Sequence, residues 1–140
     1  MQKVIIATHG ELSKGMLNSV SMIVGDLAKD VETYSLYPGQ SPNDYVNQKE
    51  VRIKDSDDEF IFVTDIKGGS VYNAIFTLTK YANVKLFSGM NMSLILEILL
   101  SNQTVVNSQK ANQLVESAKL AVTFTSKQNL ETMNKEVDDF

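Results

Sequence analysis

The sequence contains no cysteine. That absence removes disulfide cross-links, cysteine-zinc centres and thiol nucleophiles together, and it accords with a reducing compartment. Histidine is almost as scarce. His9 is the only one, so any step that needs an imidazole near neutral pH must use it. Long apolar runs are missing as well: the longest, Met92 to Leu100, is interrupted by Ser93 and Glu97. It falls far short of the roughly 20 residues a membrane helix requires. The start, Met1-Gln2-Lys3-Val4, lacks the apolar segment and cleavage site of a signal peptide, so a soluble cytoplasmic protein is expected. Basic charge is not in excess. The net charge is -4 and the lysines are scattered, which leaves no electrostatic footprint for nucleic acid.

What is present fits one domain. The chain has 140 residues, 43% of them hydrophobic and 21% charged, a balance that excludes disorder and permits a core without covalent staples. Apolar β-rich runs alternate with helical patterns. Lys3 to Thr8 and Phe60 to Thr64 run apolar without alternating, as strands buried on both faces do. Val31 to Tyr37 and Asn83 to Ser88 supply two more strands, and Leu120 to Thr125 is a late β-rich run. Between them, Leu12, Met16, Val20, Ile23, Val24 and Leu27 fall at helical spacing, with Gly25 near the stop. Ser41-Pro42-Asn43-Asp44 reads as a helix start with serine at the cap and proline first, and that helix weakens after Glu50. Further helices are expected around Val71 to Leu78, Leu94 to Leu99 and Ala111 to Ala118, and a weak amphipathic tail around Leu130, Met133 and Val137. Strands alternating with helices imply crossover connections, hence an α/β fold with a mainly parallel sheet covered on both faces.

In such sheets ligands bind beyond the carboxyl ends of the strands. Those ends read Thr8-His9-Gly10, Thr64-Asp65-Ile66-Lys67-Gly68-Gly69-Ser70 and Ser88-Gly89-Met90-Asn91, and they hold four of the seven glycines. A ring nitrogen of His9 can carry a phosphoryl group. Asp65 can hold the other nitrogen, fixing the tautomer and stabilising the charged ring. Gly68, Gly69 and Ser70 open a helix whose N–H groups and hydroxyl can receive phosphate oxygens. Blander readings stand beside these: a lone surface histidine, Asp65 as a helix cap, Gly-Gly as an ordinary turn. The acidic run Asp55, Asp57, Asp58 and Glu59 precedes a strand at the far edge and reads as a solvated loop, not a metal site.

The segments Ile5 to Gly10, Val63 to Ala74 (with Gly68-Gly69-Ser70-Val71-Tyr72-Asn73) and Ser88 to Asn91, with the turn Pro38-Gly39, resemble the signature segments of enzyme IIA components of mannose-family sugar phosphotransferase systems. The resemblance spans residues 1 to about 125. It implies a cytoplasmic phosphocarrier that takes a phosphoryl group from HPr on His9, with Asp65 as partner of the ring. The group passes to a histidine of the IIB component, and IIB phosphorylates sugar entering through membrane IIC and IID subunits. Gly68, Gly69 and Ser70 would bind phosphate, with Thr8, Gly10, Asn73 and Asn91 in support, and neither metal nor cofactor is called for. The implied fold is a four-stranded parallel sheet plus a fifth, antiparallel strand over Leu120 to Thr125 exchanged in a homodimer. Residues 1–125 would form the IIA-type domain, and 126–140 its helical tail. The sequence departs from the family pattern at Val71 and Ser93, where proline is common, and at Lys67, where the residue is often apolar or aromatic. The Lys67 ammonium could reach a phosphoryl group, although a solvated lysine is the simpler reading.

Three rival functions are weighed. A regulatory IIA-like domain would use His9 phosphorylation as a signal. A receiver domain would phosphorylate Asp65, but it needs an acidic pair after strand one, where Thr8 and His9 stand. A IIA-like subunit of dihydroxyacetone kinase lacks the Gly-Gly-Ser-X-X-Asn pattern.

Overall fold

The computed structural model describes residues 1–101 and 106–129. The elements run β1 (Gln2–His9), α1 (Leu12–Val24), β2 (Glu32–Leu36), α2 (Asn43–Lys54), β3 (Glu59–Thr64), α3 (Ser70–Phe76), β4 (Val84–Phe87), α4 (Met92–Leu100) and α5 (Ser108–Lys119). All three strand pairings are parallel, in the order β2-β1-β3-β4. The central strands β1 and β3 are therefore the two apolar runs without alternation.

Each face of the sheet has its own core. Val4 and Ile6 of β1 join Ile61 and Val63 of β3 against Val20 of α1 and the apolar faces of α4 and α5. Ile5 and Ala7 join Phe60 and Phe62 against Val46 and Ile53 of α2 and Val71 and Ile75 of α3. Period-two alternation sends neighbouring residues of one strand to opposite cores. Burying one such side chain fully is worth about 1.5–3 kcal/mol, so the central strands anchor the domain.

Several boundaries differ from the expectations. In α1 the residues facing the core are Ser13, Met16, Leu17, Val20 and Val24, while Leu12 and Ile23 are exposed, as is Leu27 beyond the helix end. The helix stops as expected at Gly25, whose φ of 54° favours glycine. The next helix starts one residue late: Asn43 is its first residue, Pro42 is the cap, and the Ser41 hydroxyl accepts the Asn43 N–H at 3.3 Å. It also continues beyond Glu50 to Lys54, because Lys49 and Ile53 extend its buried face. The Lys49 ammonium is held by Glu32 at 2.6 Å, and Arg52 shares the same carboxylate oxygen at 3.2 Å.

The expected fifth strand is not part of this sheet. After α5 the chain turns at residues 120–121, and 122–126 adopt no regular structure. Leu120, Val122 and Phe124 are left strongly exposed. A strand needs a neighbour to satisfy its backbone groups, and among the described residues this segment has none. Of the expected tail, residues 127–129 are helical, and Leu130, Met133 and Val137 lie outside the described residues.

Candidate functional site

The strand order reverses between β1 and β3: β1 connects outward to β2, and the chain then crosses back to β3. The loops leaving β1 and β3 diverge at such a point and open a crevice. His9 ends β1 and Asp65 follows β3, so topology brings together residues 56 positions apart.

One carboxylate oxygen of Asp65 accepts two hydrogen bonds from His9, the backbone N–H at 2.9 Å and ring Nδ1 at 2.8 Å. The other oxygen accepts Ile66 N–H at 2.9 Å. Asp65 is thus not the cap of the following helix, whose cap residue is Gly69. A carboxylate can only accept, so in the neutral ring Nδ1 carries the proton and Nε2 keeps its lone pair. Nε2 lies 3.2 Å from the Ser70 hydroxyl, which donates to it in this tautomer. The imidazole is clamped from both sides, yet 48% of its side chain remains exposed against 13% for Asp65.

Partial burial pushes the Asp65 carboxyl upward. The hydrogen bonds from His9 N–H, the His9 ring and Ile66 N–H outweigh it and hold the group below the usual carboxylate range.

The glycines shape the pocket around the ring. Gly69 lies against it, and a Cβ added there would sit 3.2 Å from His9 Cε1 and 3.0 Å from Ile66 Cγ2. Gly68 has φ 84°, and Gly69 N–H bonds Ile66 O at 3.3 Å, so residues 66–69 form a tight turn. Asn73 Nδ2 donates to Gly68 O at 3.0 Å and braces that turn. Gly10 N–H donates to Leu36 O at 2.7 Å, tying the end of β1 to β2.

Two expected supporting residues act further away. Thr8 is fully buried, and its hydroxyl accepts Ser13 N–H at 2.8 Å at the start of α1. Asn91 caps α4 by accepting Leu94 N–H at 2.8 Å, and its Nδ2 donates to Ala118 O at 3.0 Å. Neither side chain bonds the imidazole. Val71 is buried in the core and Ser93 is the second residue of α4, so both helices begin without proline.

Some surroundings were not foreseen from the sequence. Ser13 is buried, and its hydroxyl lies 3.1 Å from both Tyr34 O and Ser35 Oγ, packing the root of α1 onto β2. Beside the ring a shallow groove of about 390 Å3 is walled by Gly10 and residues 36–40. On its rim the Tyr37 hydroxyl donates to Glu11 at 3.2 Å and accepts from Lys14 at 2.9 Å. Nothing in composition marks such a groove, because it depends on how a turn packs against a strand end. Among the described residues no cluster of three or more His, Asp or Glu is disposed to hold a metal, and no helix is long and apolar enough to cross a membrane.

A protonated Nδ1 on a half-buried carboxylate, with Nε2 facing a hydroxyl and solvent, makes a nucleophile whose orientation is fixed. A family model described as "PTS system fructose IIA component" matches residues 3–119. The chain belongs to this EIIA-man family. It is 28% identical over 107 residues to the sorbose-specific EIIA component of Klebsiella pneumoniae, covering 75% of this chain and 78% of that protein. The crystal structure of phosphotransferase system component EIIA from Streptococcus agalactiae superposes with a TM-score of 0.76 at 26% identity, over 89% of this chain and 97% of that one. The mannose/sorbose-specific IIA subunit from Enterococcus faecalis gives 0.73 at 26% identity, over 89% and 95%. As an EIIA-man protein the chain is a phosphotransferase-type component of a mannose-family system, with a phosphocarrier role in sugar uptake. The four-stranded parallel sheet with helices on both faces is the architecture shared with these structures.

Proposed function

We propose that this IIA component carries the phosphoryl group on Nε2 of His9, receiving it from HPr and delivering it to a histidine of the IIB component. The observation that carries this reading is the two-sided clamp on the imidazole, Asp65 on Nδ1 and Ser70 beside Nε2.

The Nε2 lone pair attacks phosphorus in line. The N–P bond forms as the bond from phosphorus to the donor's leaving atom breaks, its electron pair going to the donor. No proton leaves His9, because the Nδ1 proton stays in its bond to Asp65 while the ring becomes cationic. Asp65 stabilises that cation. The Ser70 hydroxyl turns from Nε2 to an oxygen of the incoming group, beside the backbone of Gly68 and Gly69. Asn73 keeps the glycine turn in place, while Thr8, Gly10 and Asn91 hold the strand ends and helix starts around it. Delivery to IIB is the same step reversed with a different acceptor. Positioning and charge neutralisation do most of the work in phosphoryl transfer, and the clamp supplies both.

The working form is a cytoplasmic homodimer that serves membrane IIC and IID indirectly. The outer edge of β4, unpaired among the described residues, and the apolar alternation Leu120, Val122, Phe124 support exchange of a strand between two copies. Phosphoenolpyruvate-driven labelling through enzyme I and HPr tests the assignment. His9→Ala should abolish an acid-labile adduct while circular dichroism is unchanged. Undiminished labelling of that variant refutes it, and magnesium-dependent labelling of Asp65 would favour the receiver reading instead.

A further inference from the structure

Residues 66–69 form a turn whose second and third positions are Lys67 and Gly68, and the φ of 84° at Gly68 gives it type II character. Lys67 therefore sits at the crest, two residues after the carboxylate on Nδ1 and three before the hydroxyl on Nε2. At Gly69, two residues further, an added Cβ would sit 3.2 Å from Cε1, the ring carbon between the two nitrogens. Two residues of chain span about 7 Å at most, so the flexible four-carbon stem of Lys67 starts close to the turn that borders the ring.

Charge singles out the same residue. Among the residues following the four strands (10–11, 37–42, 65–69 and 88–91) Lys67 is the only lysine or arginine. It is exposed and has no hydrogen-bond or ion-pair partner among the described residues. Lys14, the first cation after β1, is engaged by the Tyr37 hydroxyl at 2.9 Å. A phosphoryl group on Nε2 adds a charge of about -1.5 to -2 within one ring-width of the Asp65 carboxylate. Asp65 balances the ring cation, and neither Ser70 nor the glycines bring charge for the oxygens.

We propose that Lys67 is a phosphoryl-neutralising residue, its ammonium engaging the oxygens of phospho-His9 and shifting the transfer equilibrium toward the phosphorylated carrier. The proposal rests on His9 as phosphoacceptor and adds the group that balances the charge. An ammonium and a phosphoryl oxygen about 4 Å apart in a water-like medium interact enough for about a fivefold change in an equilibrium constant. The exposed site makes the effect fade as salt rises.

The test compares wild type, Lys67→Gln and Lys67→Arg, each phosphorylated through enzyme I and HPr. The exchange equilibrium with HPr is read at low and high salt, and the phosphoryl second ionisation by 31P NMR titration. Expected for Lys67→Gln are about a fivefold loss of phospho-carrier at low salt, a smaller loss at 1 M salt, and a phosphoryl group that ionises at higher pH. Lys67→Arg should restore most of both. A Lys67→Gln protein matching wild type in equilibrium and titration overturns the role of Lys67 and leaves His9 standing. Absence of an acid-labile adduct on wild type overturns the reading of His9 itself.

Discussion

Replacing Asp65 by asparagine tests the central geometry most directly. The wild-type carboxylate accepts three N–H groups, two of them from His9 on a single oxygen. An asparagine carbonyl can take the His9 pair only by turning its own NH2 toward Ile66 N–H, donor against donor. The opposite flip points NH2 at both His9 donors. Charge-assisted hydrogen bonds contribute about 1 kcal/mol more than neutral ones, so the His9 pair alone weakens by about 2 kcal/mol. Only the ring bond strengthens as the imidazole becomes cationic, so about 1 kcal/mol of this enters the barrier, about a fivefold loss of phosphoryl-transfer rate, since each 1.36 kcal/mol is tenfold. Loss of the anion also removes what holds the proton on Nδ1, and a ring protonated on Nε2 has no lone pair to offer phosphorus. Rapid-quench labelling by phospho-HPr measures the rate, and 15N NMR of the imidazole reports the tautomer. The reasoning fails if Asp65→Asn transfers within threefold of wild type with Nδ1 still protonated. A pH dependence accompanies this. The folded-state pKa of Asp65 lies below its unfolded value near 4. Its stabilisation is therefore present above that pH and lost as pH falls through the folded value. Urea melts of wild type and Asp65→Asn should differ at neutral pH and converge as pH falls through the lowered carboxyl value of Asp65.

Two further substitutions separate the ring's surroundings from its scaffold. Gly69→Ala has ordinary backbone angles (φ -72°, ψ 169°), so the strain arises where the new methyl meets His9 Cε1 and Ile66 Cγ2. Transfer should slow about tenfold through displacement of the ring, with a melting temperature within a few degrees of wild type; unchanged kinetics would show that the ring has room to spare. Asn91→Ala loses a helix cap and the tie to Ala118. It should cost about 1–2 kcal/mol in chemical denaturation and leave labelling of His9 within about threefold, and a collapse of labelling in a folded variant would give Asn91 a part in the chemistry.

The legible parts of the fold are those where one residue pattern has one physical solution. The runs ending at Thr8 and Thr64 lack alternation because both sheet faces are covered, and they are indeed the central strands. Strand order was not legible, since edge and centre differ by what packs outside them. The extension of α2 was hidden by Lys49, a charge on a buried face that makes sense only with Glu32 of β2 opposite. The run 120–125 carries a β pattern without a partner strand among the described residues. At the site, the residue types at the three strand ends point to one rim in the sequence itself. The sequence could not say that Asp65 also binds the backbone of His9, that the Ser70 hydroxyl faces Nε2, or that Thr8 and Asn91 turn away to start helices. Those depend on side-chain directions, which spacing does not encode.

The shared oxygen that joins Asp65 to both the main chain and the ring of His9 has a consequence for traffic. A side chain so pinned cannot swivel from one visitor to the next like a crane. If His9 carries the phosphoryl group as proposed, donor and acceptor must approach from the same quarter, one at a time, so occupancy by either would exclude the other. An excess of unloaded upstream protein should then slow discharge simply by standing in the doorway.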